Sequence, residues 1–247
     1  MVSRLIMIDN FNTIDSFLKF EEGYFYKFEA LIRNTDGENP LYYEGISNTN
    51  KNILIKSWYV DTQEYYEKIK NEMKVLCNLT GARLYITLDR KSNKCLIREL
   101  FNKINQIITG VLNGNKYGIK SLNKLISSTT SSLETSDKSN RTIMFDIDTK
   151  DQDVLDGILL YITNKKQQPY VLETKKGYHV FCYKKFNILE WEKEAIDGFI
   201  KHVGVYQVKL SRLANIEQFV KDIKQVSVIE NQLGLVYYSK EINARRN

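Results

Sequence analysis

The stretch RTIMFDIDTK, residues 141–150, decides how the rest of the chain is organised. It is an apolar run that ends in two carboxylates one residue apart, Asp146 and Asp148. Such a run is typical of a buried strand, and residues two positions apart in a strand project from the same face of a sheet. We therefore expect a strand at 142–148 that presents both carboxylates together at its end.

A second stretch, ETKKGYHVF at residues 173–181, contains a turn signal, Lys175-Lys-Gly177, followed by an apolar run that begins near His179. Together with the flanking patterns it predicts the order β-α-β-β-α-β, the split-βαβ arrangement. The predicted elements are a strand at 142–148, a helix at 153–164, strands at 169–174 and 178–184, a helix at 188–203 and a strand at 205–210. A C-terminal extension adds a short helix at 214–224 and strands at 226–230 and 233–238.

This order brings the acids and the histidine to one place. In a split βαβ, the first and third strands are antiparallel neighbours at the centre of the sheet. The C-terminal end of strand 142–148 then lies beside the N-terminal end of strand 178–184. We therefore expect Asp146, Asp148 and His179 to meet at one rim of the sheet.

The residues before this core predict an α/β unit packed on it. Alternating and aromatic patterns predict strands at 23–32, 53–60 and 83–88, and helical spacing predicts helices at 62–79, 96–111 and 119–126, with a short one within 11–20. The expected fold class is α+β. The expected division is an N-terminal unit at 1–126, a Ser/Thr-rich connection at 127–140 and a core with its extension at 141–247.

Positive charge is concentrated in two segments of this chain, whose net charge is +6. Residues 83–124 hold nine Lys/Arg against two acids, and residues 201–247 hold eight against four. Segregated positive charge is typical of a protein that binds a polyanion. The candidates for contacts with a nucleic-acid backbone are Arg83, Tyr85, Arg90 and Lys91; the alternative for each is an ordinary exposed side chain.

The sequence also favours a cytoplasmic protein with no membrane partner. No apolar run approaches the roughly 20 residues that cross a bilayer, and the first nine residues lack a signal-peptide pattern. The three cysteines, Cys77, Cys95 and Cys182, are odd in number and widely spaced, which is typical of reduced thiols.

Paired carboxylates beside a histidine suit metal and phosphate chemistry. Mg²⁺ prefers oxygen ligands and completes its shell with waters and substrate phosphates. His179 can donate to a phosphate oxygen, and Lys175, Lys176 and the backbone amides of the Gly177 turn can hold further negative charge. The alternative is that both acids are solvated at a strand end while His179 packs in the sheet.

The two motifs resemble those of the archaeo-eukaryotic primase superfamily, in particular the small phage- and plasmid-type primase-polymerases. The first is Ile143-Met-Phe-Asp-Ile-Asp148, and the second is Gly177-Tyr-His179 within a Thr-x-x-Gly-x-His turn. The resemblance implies an RRM-like catalytic core in which Asp146 and Asp148 hold Mg²⁺ or Mn²⁺. It also implies that His179 contacts the triphosphate of an incoming NTP or dNTP and that Lys175, Lys176, Gly177 and Arg212 assist.

The same resemblance implies a role in DNA replication. The partners would be a single-stranded or primed DNA template and a nucleotide, and any helicase would be a separate replication protein, because no Walker A motif is present. If the chain is phage-encoded, the host cytoplasm is the expected location.

The third motif of the family departs from its pattern here. The family has an apolar-Asp pair on a strand after the second helix, but residues 204–215 contain no acid before Arg212. This leaves open a catalytically degenerate, primase-like protein that binds nucleic acid or nucleotide as a replication accessory. A DEDD-type 3′–5′ exonuclease is a lesser alternative, since its later motifs are missing.

Overall fold

The computed structural model describes residues 3–33, 52–114, 122, 124–186, 226–229 and 233–243. These residues form a mixed α and β structure with two antiparallel sheets, so the expected α+β class is confirmed. None of the described helices is long and apolar enough to cross a bilayer.

The first sheet combines both ends of the chain. Its strands run in the order β1-β10-β4-β2-β3, and a short strand, β5, pairs with β2. Their bounds are β1 Ser3–Asp9, β2 Tyr24–Ile32, β3 Ile53–Val60, β4 Arg83–Thr87, β5 Lys91–Ser92 and β10 Leu233–Asn243. The predicted strands at 23–32, 53–60 and 83–88 are confirmed, whereas β1 was not predicted. β10 lies between β1 and β4, so the C-terminal extension completes the N-terminal sheet.

The second sheet contains the motifs. Its strands are β6 Thr142–Ile147, β7 Tyr170–Glu173, β8 Tyr178–Tyr183 and β9 Val226–Ile229. They run in the order β7-β8-β6-β9, and every neighbouring pair is antiparallel. The predicted pairing of the first and third strands of the core is therefore confirmed. The elements predicted at 188–203, 205–210 and 214–224, with Arg212, lie outside the described residues.

The helices predicted within 11–20 and at 62–79, 96–111 and 153–164 are confirmed, although the third begins three residues earlier than expected. The helix expected at 119–126 is described at Leu125–Thr130, most of it inside the segment predicted as a connection. The bounds of the helices are α1 Phe11–Phe17, α2 Gln63–Thr80, α3 Asn93–Leu112, α4 Leu125–Thr130 and α5 Gln152–Asn164, with a 3₁₀ turn at Leu133–Thr135. Before α2, the side chain of Thr62 accepts a hydrogen bond from the Tyr65 amide, as an N-cap does. After α2, Gly81 adopts the left-handed conformation, φ 63°, that ends many helices.

One hydrophobic core joins the two sheets. The ring of Phe17 on α1 contacts Tyr170 and Phe181 of the second sheet at centroid distances of 5.3 and 4.8 Å. These residues belong to the same buried cluster as Phe28 of β2. Helix α5 covers the opposite face of the second sheet, where Phe145 is fully buried. This shared core and the placement of β10 both cross the predicted domain boundaries.

The Ser/Thr-rich segment 127–140 is folded and partly buried. Its Ser127 and Ser131 side chains accept hydrogen bonds from the Lys27 ammonium, which is fully buried and also paired with Glu29 at 2.6 Å. Lys91 donates to Ser136 at 2.7 Å, and Arg90 is paired with Asp137. We call this set the buried ion network: Lys27, Glu29, Arg90, Lys91, Ser127, Ser131, Ser136 and Asp137. Buried ammonium groups need hydrogen-bond acceptors. The hydroxyl groups of this segment therefore serve as partners of buried lysines, and the segment is not a flexible linker.

Candidate functional site

Asp146 and His179 face each other across neighbouring strands. They are paired in register between β6 and β8, and His179 Nε2 lies 3.4 Å from Asp146 Oδ1. The side chain of His179 is 12% exposed and that of Asp146 is 28% exposed. The structure thus brings together the acid and the histidine that the strand order placed at one rim.

His179 is held in its neutral form. Burial, and to a smaller extent the nearby Arg33 guanidinium, lower the pKa of the imidazole to about 4, while Asp148 acts in the opposite direction. Its Nδ1 is buried and has no hydrogen-bond partner among the described residues. A buried polar nitrogen without a partner is uncommon in folded proteins, and it marks His179 as a candidate site residue.

The two carboxylates repel each other. Burial raises the pKa of Asp146, and the charge of Asp148 raises it further, while Arg33 opposes both effects. Asp148 itself is exposed just beyond the end of β6. Like charges placed side by side destabilise the folded chain unless a cation binds, so this pair suits a hard divalent ion in its chemistry and position.

The donor set is sufficient for a site completed by substrate. Among the described residues, no group of three His, Cys, Asp or Glu side chains could hold a metal ion. Mg²⁺, however, is commonly bound through one or two carboxylates plus substrate phosphates. Asp146 and Asp148 therefore fit, by their chemistry, a divalent cation whose other ligands come from water or a phosphate group.

The strand beside β6 provides no third carboxylate. β9 pairs with β6 on the side opposite β8, with Ser227 in register with Asp146. The residues of β9 are Val226, Ser227, Val228 and Ile229. The position at which the family places its third acid, sought at 204–215, lies outside the described residues.

The glycine of the second motif permits a close approach between backbones. The turn at 174–177 is closed by a hydrogen bond from the Gly177 amide to Thr174 Oγ1 at 3.0 Å. A Cβ at residue 177 would overlap the Ile147 carbonyl oxygen and lie 2.8 Å from the Thr149 amide nitrogen. Only glycine allows the turn, with exposed Lys175 and Lys176 at its tip, to lie against the end of β6 beside the acids.

Arg33 is the residue of this site that the sequence did not reveal. It follows β2 directly, and its guanidinium lies 5.3 Å from the centroid of the Tyr85 ring. Its charge acts on both Asp146 and His179. A lone arginine after an apolar strand carries no signal by itself, because its distance from the acids depends on how the two sheets pack.

The predicted nucleic-acid contacts are mostly internal. Tyr85, Arg90 and Lys91 are buried. Arg90 is paired with Glu21 at 2.7 Å and with Asp137 at 2.8 Å, and Lys91 donates to Ser132 and Ser136. Arg83 is partly exposed, with its guanidinium 4.9 Å from the Tyr238 ring. The buried ammonium of Lys91 does not reach solvent and is not placed to contact a phosphate backbone.

No protein-family model, curated protein or solved structure matches the chain.

Proposed function

We propose that the chain is a primase-polymerase-like nucleotidyltransferase that transfers a nucleotide from NTP or dNTP to a 3′-hydroxyl on a DNA template. In this proposal the second sheet is the RRM-like catalytic core; the order β7-β8-β6 supports it, and β9 lies beside β6, where the split βαβ would place its fourth strand. The observation that carries the proposal is the meeting of Asp146, Asp148 and His179 beside the Gly177 turn.

Asp146 and Asp148 are the residues that would hold Mg²⁺ or Mn²⁺. When bound, the ion supplies Lewis-acid stabilisation of charge on the transferred phosphoryl group. The carboxylates orient the ion at the end of β6, where the exposed Asp148 faces solvent and the half-buried Asp146 faces His179. The raised pKa of Asp146 means that its carboxylate is more easily protonated than an ordinary aspartate when no cation is bound.

His179 would position the triphosphate. Because its pKa is lowered to about 4, the ring is neutral near physiological pH and donates one hydrogen bond from one nitrogen. Lys175 and Lys176 on the adjacent turn, together with Arg33, would balance the charge of the β- and γ-phosphates. Arg212 remains a candidate for the same task from its sequence position alone.

The second candidate function is a primase-shaped binding module without chemistry. It is favoured by the absence of an acid from β9, the strand that pairs with β6. Such a protein would act as a replication accessory that binds nucleotide or nucleic acid at the same rim.

Template-directed incorporation on primed and unprimed DNA, with Mg²⁺ or Mn²⁺, separates the two. The wild type is expected to incorporate nucleotide, and Asp146→Asn/Asp148→Asn to lose at least about 10³-fold of that activity, since metal-bound charge stabilisation supplies several kcal/mol. Glu173→Gln, which removes a nearby exposed carboxylate bonded to Lys150, is the matched control and should retain activity.

Two results would overturn the enzyme proposal. One is a wild type that incorporates nothing while still binding DNA in a fluorescence anisotropy assay, which favours the binding module. The other is incorporation that survives in Asp146→Asn/Asp148→Asn, which places the chemistry elsewhere.

A further inference from the structure

We infer that a second anion site lies at the far end of β8 and binds the phosphate backbone of a single nucleic-acid strand. The site is a cleft of about 260 Å³, which we call the lysine cleft. Its lining includes Lys19, Phe20, Glu21, Arg90, Tyr183 and Lys185. The inference rests on the proposed function in one respect, namely that the bound strand is the one used at the Asp146 site.

Two unpaired ammonium groups converge in this cleft. Lys19 Nζ lies 5.3 Å and Lys185 Nζ lies 5.9 Å from the centroid of the same ring, that of Tyr183. Both lysines are exposed, and among the described residues neither is paired with a carboxylate. Such contacts with the face of a tyrosine hold each ammonium in place without neutralising it.

Arg90 forms the third positive group of the lysine cleft and is fixed in position. Its guanidinium is paired with Glu21 and Asp137 and lies 4.2 Å from the Tyr24 ring centroid. Among the described residues that line the cleft, Glu21 is the one acid, and it is already paired with Arg90. The remaining positive charge of Lys19 and Lys185 is therefore available to an anion.

A phosphate group fits the chemistry of this lining. Two ammonium groups that line one cleft and have no carboxylate partner among the described residues attract an anion to that cleft. Phe20 and Tyr183 supply an aromatic wall. Positive groups beside aromatic rings are typical of grooves that follow the backbone of a single strand.

The position of the cleft favours a strand over a free nucleotide. His179 and Tyr183 are four residues apart on β8, so they share one face and lie about 13 Å apart along the strand. Phe181, the residue between them on that face, is fully buried against Phe17, so the two sites open at opposite ends of β8. A longer strand that passes around this packed region can reach both sites, whereas a single nucleotide held at the Asp146 site cannot. The lysine cleft would thus fix a neighbouring part of the same strand.

The test is fluorescence anisotropy with a labelled single-stranded oligonucleotide of about 20 nucleotides, a length that covers several groove contacts. Lys19→Gln/Lys185→Gln is expected to bind about 10-fold more weakly than wild type. The slope of log K against log salt should decrease in magnitude by about 1.4, since each single-strand phosphate contact contributes about 0.7. Lys68→Gln/Lys166→Gln, which removes two other exposed lysines, is the matched control. Lys19→Arg/Lys185→Arg should restore binding.

Three outcomes decide the inference. Equal affinity and salt slope for Lys19→Gln/Lys185→Gln and the control pair would overturn it. A loss confined to binding of dNTP or inorganic pyrophosphate, with the oligonucleotide unaffected, would also overturn the assignment to a strand. If the oligonucleotide binds through Lys19 and Lys185 but wild type incorporates nothing, the lysine cleft stands and the enzyme proposal fails.

Discussion

The buried ion network and the carboxylate–histidine site are both polar and partly buried, yet their charges are arranged in opposite ways. In the network, opposite charges meet: Lys27 is paired with Glu29, and Arg90 with Asp137. At the site, Asp146 lies beside a second carboxylate and a neutral imidazole with an unpartnered Nδ1. The first arrangement is what a folded chain needs to bury charge, whereas the second leaves like charges and a polar nitrogen uncompensated, as is typical of functional sites.

The largest expected effect tests whether the network holds the fold. Lys27→Met should lower the free energy of unfolding by about 3–5 kcal/mol, because it leaves Glu29 buried without its cation. Lys27→Met/Glu29→Met should recover much of that loss. The measurement is urea denaturation, with Lys56→Met as control, since its bridge to Glu72 is about half exposed and should be worth at most about 1 kcal/mol. If Lys27→Met and Lys56→Met lower the free energy of unfolding equally, the buried ion network does not hold the fold.

The next effect concerns pH at the site. The folded-state pKa of His179 is lowered from 6.5 to about 4, so the unfolded chain binds the extra proton first as pH falls. Neutral His179 contributes to the free energy of unfolding above pH 6.5. This contribution is lost as the pH falls from 6.5 to about 4, by a total of about 3 kcal/mol. His179→Gln should therefore flatten the dependence of the unfolding free energy on pH in this window. His202→Gln, at the other histidine, is the control; a wild-type slope in His179→Gln would show that the ring is not held neutral.

A smaller effect concerns the turn that meets β6. Gly177→Ala should destabilise the chain by about 1–3 kcal/mol, because the new Cβ overlaps the Ile147 carbonyl oxygen and the turn must move. Thr174→Val, which removes only the acceptor of the Gly177 amide, should cost about 1 kcal/mol. Thermal and urea unfolding measure both. If Gly177→Ala is as stable as wild type, the close approach of the 174–177 turn to the end of β6 is not required for folding.

The smallest expected effect tests whether Arg33 lowers the pKa of Asp146 and His179. Its guanidinium lowers the pKa of both Asp146 and His179, so Arg33→Gln should raise both. An NMR titration of the His179 ring protons measures the change directly. Arg83→Gln is the control, since Arg83 is not among the charges that act on His179. An unchanged His179 titration in Arg33→Gln would remove Arg33 from the site.

The strand order of the core could be predicted because each step depends on local pattern. Apolar runs, a turn signal and helical spacing predicted β6, α5, β7 and β8, and antiparallel pairing then placed Asp146 opposite His179. The strand β1 was not predicted, because seven residues without clear alternation become a strand only when β10 pairs with them. Residues 127–140 were predicted as a polar connection, because composition does not indicate whether hydroxyl groups meet water or a buried lysine.

Two functional features depended on packing between distant segments. Arg33 acts on Asp146 and His179 only because the first sheet lies against the second. Lys19 and Lys185 are 166 positions apart in the sequence and converge on one tyrosine ring in the folded chain. Conversely, Arg90 and Lys91 look like exposed basic residues in sequence but are held by internal partners.

The sequence by itself determined the α+β class, the strands of the core and the meeting of an acid pair with a histidine, because periodicity and antiparallel pairing are local rules. Tertiary structure alone decided the ionisation of His179, the place of Arg33 beside Asp146 and the insertion of β10 into the first sheet. Burial and long-range charge set these properties, and both depend on which segments pack together and not on the residues that adjoin each group in the chain.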